Sequence, residues 1–183
     1  MIHQLTANLG KMRLIKHPPL FSAYLDHFEQ INPALSEGYF RHADDEDIKR
    51  SHFFAGRYEN IYISKDIIPQ LGRVQKAAIE YAANILELDK SSLKCGLWFN
   101  AMQPGHTTSV HSHDDDDELL SAVYYIEVPD DSGDLILHYK HFTTRVTPAA
   151  GMFVFFPPDI SHEVSRNNSK GTRLSLGINL GPR

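Results

Sequence analysis

Six of the eleven histidines fall between residues 106 and 162, and the densest group lies in PGHTTSVHSHDDDDE, residues 104–118. Side chains at i and i+2 of an extended strand point the same way. If this segment is extended, His111, His113 and Asp115 share a face, and any neighbouring pair could grip one metal ion. Imidazole and carboxylate together suit a divalent first-row metal such as Fe(II). A third ligand must come from elsewhere, and the candidate is His162 in GMFVFFPPDISHEV, where a short loop follows an apolar strand. Eleven residues further on, Arg173 and Ser175 in TRLSLGIN share one strand parity. A guanidinium fork beside a hydroxyl suits a carboxylate, which arginine binds through two charge-assisted hydrogen bonds. Metal site and inward arginine together imply a small anionic co-substrate.

These residues need a scaffold of strands. From about residue 93 the chain reads as short apolar segments separated by turn residues: 93–102, 119–128, 134–140, 151–157, 162–164 and 172–180. Six such segments without intervening helices predict an antiparallel barrel or jelly roll. The first half reads differently. Leu20, Phe21, Tyr24, Leu25 and Phe28 recur at helical spacing, and residues 67–89 place Ile68, Leu71, Val74, Ala78, Tyr81, Ala82, Ile85 and Leu86 on one helical face. RYENIY, residues 57–62, is short and extended in character, a candidate substrate contact if it does not serve packing instead. The expected organisation is mainly β with N-terminal helices: one domain over 1–183, with residues 1–92 packing on a jelly-roll core of 93–183.

Composition bounds the rest. The chain has 183 residues, 42% hydrophobic and 22% charged, which is a globular profile with no apolar run long enough to span a bilayer. The start lacks the apolar stretch of a secretory signal, and a single cysteine, Cys95, forms no internal disulfide. A cytoplasmic protein is expected. The net charge of −5 resides in Asp114 to Glu118, because the rest of the chain carries 18 acidic and 18 basic residues. Such a body has no footprint for non-specific nucleic-acid binding. Homodimerisation through the N-terminal helices leaves no readable signature. His106, His138 and His141 read as surface residues, while Trp98, Phe153, Phe155 and Phe156 read as barrel core.

The ordered motifs Trp98-Phe99-Asn100, Gly105, His111-Ser112-His113, Ser121 to Tyr125, Phe156-Pro157, His162-Glu163-Val164, Arg173-Leu174-Ser175 and Asn179 resemble the Fe(II)/2-oxoglutarate-dependent oxygenases. The closest likeness is to bacterial and phage members carrying H-x-H, H and R-x-S in that order. The resemblance covers about residues 96–183. It implies a double-stranded β-helix, Fe(II) as cofactor and 2-oxoglutarate as co-substrate, with oxidation of a small-molecule or protein side-chain substrate. It places the metal on His162 with two of His111, His113 and Asp115. The family pattern has a carboxylate two residues after the first histidine, whereas this chain has His113 there. The triad is therefore either His111, His113 and His162, or a shifted set of His113, Asp115 and His162. Arg173, Ser175 and Tyr125 would hold the distal carboxylate of 2-oxoglutarate, with core packing the other reading of Tyr125.

Cupins fit part of the same stretch. Gly105, His111, His113 and Glu118 match their first motif, but Tyr125 replaces its last glycine. Gly151, Pro157 and His162 match the second, with Asp159 and Arg166 in place of its glycine and asparagine. In that reading Glu118 is a fourth ligand, no 2-oxoglutarate is used and Arg173 has no task. A third reading is a non-catalytic barrel that binds a small anion or a partner.

Overall fold

The computed structural model describes residues 13–16, 19–112 and 117–183. His113 and Asp115, and the start of the chain, lie outside the described residues. Two strands, β1 (Arg13–Lys16) and β2 (Pro19–Tyr24), precede helix α1 (Phe28–His42). A hairpin of β3 (Lys49–Phe54) and β4 (Arg57–Tyr62) leads to helix α2 (Leu71–Leu86). Next come β5 (Leu93–Met102), β6 (Thr108–His111), β7 (Leu120–Glu127) and β8 (Leu135–Tyr139). The last four are β9 (Phe142–Val146), β10 (Met152–Phe156), β11 (Ser161–Val164) and β12 (Arg173–Pro182). They form two antiparallel sheets, one ordered β1-β2-β10-β7-β12-β5-β4-β3 and the other β6-β11-β8-β9. This is the jelly roll that the strand pattern predicts.

Period-two alternation sorts each central strand between two environments. In β7, Leu120, Ala122, Tyr124 and Ile126 face the helices; in β12, Leu174, Leu176, Ile178 and Leu180 do so, joined by Phe153 and Phe155 of β10. All of these are buried against α2 residues such as Leu71, Val74, Ala78 and Tyr81. The opposite parity of β10, Met152, Val154 and Phe156, packs with Tyr125, Leu135, Leu137 and Ile160 between the sheets. Each fully buried Leu or Phe contributes about 1.5–3 kcal/mol, so the helix-side layer holds the large sheet rigid. Arg173, Ser175, Gly177 and Asn179 are left on the inner face by the same alternation.

Two expectations are corrected. Leu20, Phe21 and Tyr24 lie in β2, not in a helix, because β2 pairs with β10 from Met152↔Tyr24 to Phe155↔Phe21. Spacing that also fits a helix is overridden there by ladder pairing. The front of the chain is therefore not purely helical: β1 to β4 supply four strands of the larger sheet. The turn of the β3–β4 hairpin is Ala55-Gly56, with φ of 49° and 83°. Positive φ at both positions suits a two-residue hairpin whose twist matches its strands.

One buried side chain ties the helical layer to the barrel. Asn32 of α1 donates through Nδ2 to the Ile126 carbonyl at 2.8 Å and accepts from Tyr124 Oη at 2.5 Å. Ser36 adds a hydrogen bond to the Glu127 carboxylate. Replacing Asn32 with alanine strands the Tyr124 hydroxyl and a carbonyl in the interior. The expected outcome is a loss of about 1–3 kcal/mol in denaturant unfolding, which Tyr124→Phe in the same background partly restores.

Candidate metal and co-substrate site

The two sheets enclose a cleft of about 550 Å³. His162 of β11 lies directly across from His111 of β6 in the ladder of the smaller sheet. Cross-strand neighbours hold their Cβ atoms about 4.5–5.5 Å apart, and here the two imidazole centroids are 4.3 Å apart. Each ring is set by a backbone carbonyl two residues upstream: His162 Nδ1 lies 3.0 Å from Ile160 O, and His111 Nδ1 2.9 Å from Ser109 O. A carbonyl only accepts, so both Nδ1 atoms carry a proton, and Nε2 is the nitrogen of each ring that could meet a metal. That is how protein-bound metals find their imidazoles oriented. His162 is buried, with its ring edge-on to Phe156 at 4.8 Å.

A metal needs more than two ligands, and among the described residues no group of three His, Cys, Asp or Glu side chains is placed to hold one. Residues 113–116, with both alternatives for the third ligand, follow His111 after a single residue. Glu118, the fourth ligand of the cupin reading, does not join His111 and His162. Its carboxylate accepts from Asn179 Nδ2 and from Ser121 Oγ, the latter at 3.4 Å.

Arg173 lies on the inner face of β12 with 2% of its surface exposed. Its Nη1 donates to Gly133 O at 3.0 Å, Nη2 lies 3.2 Å from Met102 Sδ, and the guanidinium carbon sits 5.6 Å from the Tyr125 ring centroid. Nε is buried without an acceptor, and so is the Tyr125 hydroxyl without a partner. Among the described residues, no carboxylate oxygen comes within 4.0 Å of this guanidinium. Burial pulls the guanidinium pKa below its ordinary value, a drop that Tyr125 and Asp134 oppose. Arginine keeps its proton all the same, and an unmatched buried cation costs several kcal/mol. The residues present therefore fit a small carboxylate at the bottom of the cleft. Ser175, directly across from Asn100, points its hydroxyl to the Asn100 carbonyl at 3.4 Å on the same face.

The structure brings together His111, His162, Arg173, Ser175 and Tyr125 around one cleft. Trp98 is corrected: it is partly exposed and lines the cleft, on the face of β5 opposite buried Phe99. Phe153 and Phe155 are core as expected. His138 is partly exposed on the smaller sheet, where Nε2 meets Glu163 at 2.9 Å. RYENIY is β4 and sends Glu59, Asn60 and Tyr62 to the cleft.

One positioning residue escaped the sequence reading, Asn167. Fully buried, its side-chain amide donates to Met102 O at 2.7 Å and Gly171 O at 2.9 Å, while its backbone carbonyl accepts from Gly105 N at 2.7 Å. It clamps the end of β5 and the loop leading into β6, and thereby the strand that carries His111. In NNSKG an asparagine reads only as a turn former, and nothing local marks it as a clamp.

Residues 97–181 match the model of the 2OG-Fe(II) oxygenase superfamily. No curated protein matches the sequence. Among solved structures, a prolyl-4-hydroxylase of Pseudomonas putida superposes with a TM-score of 0.71 at 22% identity, over 90% of this chain and 92% of that one. A prolyl hydroxylase of Trichoplax adhaerens, in complex with a hypoxia inducible factor peptide, gives 0.67 at 11% identity, over 88% and 83%. EvdO2 of Micromonospora carbonacea var. aurantiaca, in complex with 2-oxoglutarate, gives 0.64 at 12% identity, over 96% and 95%. At these identities the structural likenesses carry the fold, and the matched segment carries the chemistry. The barrel half of this chain thus matches a superfamily of 2-oxoglutarate/Fe(II)-dependent oxygenases, which take Fe(II) as cofactor and 2-oxoglutarate as co-substrate. No helix among the described residues is long and apolar enough to cross a membrane.

Two outcomes test the site. Equilibrium dialysis with Fe(II) should show binding lost in His162→Ala and His111→Ala. His113→Ala should lose metal with either set, and retention in Asp115→Ala selects the three-histidine set. Loss in Asp115→Ala with retention in His111→Ala selects the shifted set. The second outcome concerns pH. Burial raises the Tyr125 hydroxyl from 10.0 to about 12, against a smaller downward pull from Arg173. An unfolded tyrosine ionises first, so this group's contribution to stability is intact below pH 10 and is lost as pH rises toward 12. The expected slope is about 1.4 kcal/mol per pH unit in that window, and Tyr125→Phe should remove that part of the alkaline decline.

Proposed function

We propose that the protein is a hydroxylase that converts a substrate C–H bond, O2 and 2-oxoglutarate to the C–OH product, succinate and CO2. The observation that carries this reading is the buried Arg173 guanidinium, in one cleft with a His111–His162 pair whose rings are oriented through Nδ1. His162 would hold the metal with His111 and His113, or with His113 and Asp115 in the shifted set. Bound Fe(II) supplies the centre at which O2 and 2-oxoglutarate react.

The chain's own residues bind, orient and exclude. Arg173 would match the distal carboxylate of 2-oxoglutarate, with Tyr125 donating its hydroxyl and Ser175 beside them. The Tyr125 pKa of about 12 keeps that hydroxyl protonated as a donor across physiological pH. Leu135, Phe156 and Val164 line the same end and keep water from the anion, which strengthens each charge-assisted bond. On the open side Trp98 and Tyr62 face the substrate. A small molecule and a protein side chain both fit this mouth, and the peptide-bound fold relative supports the second.

The cupin reading loses support on two counts. It gives Arg173 no partner although the buried charge demands one, and it needs Glu118 on the metal. Anaerobic titration of 2-oxoglutarate into the Fe(II)-loaded protein separates the readings. A visible metal-to-ligand charge-transfer band should grow and saturate. Arg173→Met should weaken that titration about a hundredfold, as expected when one member of a buried charge pair is removed, while Fe(II) binding stays. Metal binding without a band would favour the cupin reading.

A further inference from the structure

We infer that the substrate presents a cationic, donor-rich group, an alkylammonium or guanidinium such as a lysine or arginine side chain; this rests on the oxygenase reading above and names its substrate class. Beyond the co-substrate end, the inner face of β12 continues through Gly177 to Asn179. There Asn179 Nδ2 donates to the Glu118 carboxylate, which fixes the amide orientation, since a carboxylate accepts only. Asn179 Oδ1 is consequently an acceptor, and it is buried without a donor. Asn100 Oδ1 is also buried without one, but it lies beside Ser175 on the neighbouring strand, at the co-substrate end. Each such acceptor is costly until a donor arrives.

Charge points the same way. Among the described residues lining the cleft, Arg173 is the only lysine or arginine, and the co-substrate carboxylate takes its charge. Glu118 contributes a carboxylate to this end. The wall between the two ends is aromatic: Trp98 and Tyr62 have ring centroids 6.2 Å apart. Such faces attract ammonium and guanidinium groups. An anionic substrate would meet Glu118, and an apolar one would leave the Asn179 amide oxygen unmet. A cation with several N–H donors answers acceptor, carboxylate and aromatic wall at once.

The test uses the full chain loaded with Zn(II) and 2-oxoglutarate, so that binding is read by calorimetry without turnover. The probes are Nα-acetyl-lysine amide and Nα-acetyl-arginine amide, the neutral Nα-acetyl-norleucine amide, and free lysine and arginine. At least one basic probe should bind about tenfold tighter than the norleucine compound, the size expected of a hydrogen bond to a charged group. Glu118→Gln should erase that preference and leave 2-oxoglutarate affinity unchanged; Asn179→Ser, which removes the acceptor at a different position, should weaken the same probe. Tighter binding of the capped form assigns a polypeptide side chain, and tighter binding of the free form a small molecule; both support the inference. Equal binding of norleucine overturns it, as does no binding of any basic probe at millimolar concentration while 2-oxoglutarate binds. If 2-oxoglutarate itself fails to bind, the oxygenase reading and this inference fall together.

Discussion

The guanidinium of Arg173 is buried with no carboxylate against it among the described residues, and much of the structure follows from holding it there. A buried cation is tolerated only when its surroundings supply acceptors. Gly133 O takes one edge, the Tyr125 ring faces the carbon, and Nε is left for a ligand. None of these partners is adjacent in sequence. They meet because β12 pairs with β5 on one side and β7 on the other, and because the helices cover the far face of all three strands.

The same constraint explains the division of labour between the sheets. The larger sheet is stiffened by the helical layer, and its inner face supplies charge recognition. The smaller sheet has fewer and shorter strands, and it supplies the imidazoles from two of them. Asn167 and the Arg57–Glu59 pair couple the two. Arg57 Nη2 reaches both Glu59 Oε1 at 2.9 Å and Thr107 O at 3.1 Å, which fixes the residue just before β6.

Much of the barrel was legible because its strands alternate strictly or run apolar between turn residues. β5 falls at 93–102 as read, and β7, β8, β10, β11 and β12 lie within two residues of expectation. Arg173 and Ser175 were legible for the same reason, since parity alone puts them on one face. Strand β9, FTTRV, was missed because it is mostly exposed and carries little apolar signal. β2 was misread because five apolar residues at 20, 21, 24, 25 and 28 satisfy a helix as well as a strand, and pairing with β10 decided between them. The facing of His111 and His162 was not legible in any window of sequence. It depends on the register between strands separated by fifty residues, and neither strand's own pattern encodes that register.

Gly177 and Trp98 are opposite each other in the β5–β12 ladder, and a Cβ on residue 177 would lie 2.4 Å from the indole. The ring therefore rests on bare backbone, flush with the cleft wall, at the border between the co-substrate end and the open side. It is the only tryptophan in the chain. All indole emission from this protein thus originates at that one border, and the natural sequence carries its own optical probe. Occupancy of either end of the cleft becomes visible without a label, and any loosening of the wall reads out as a change in one fluorophore.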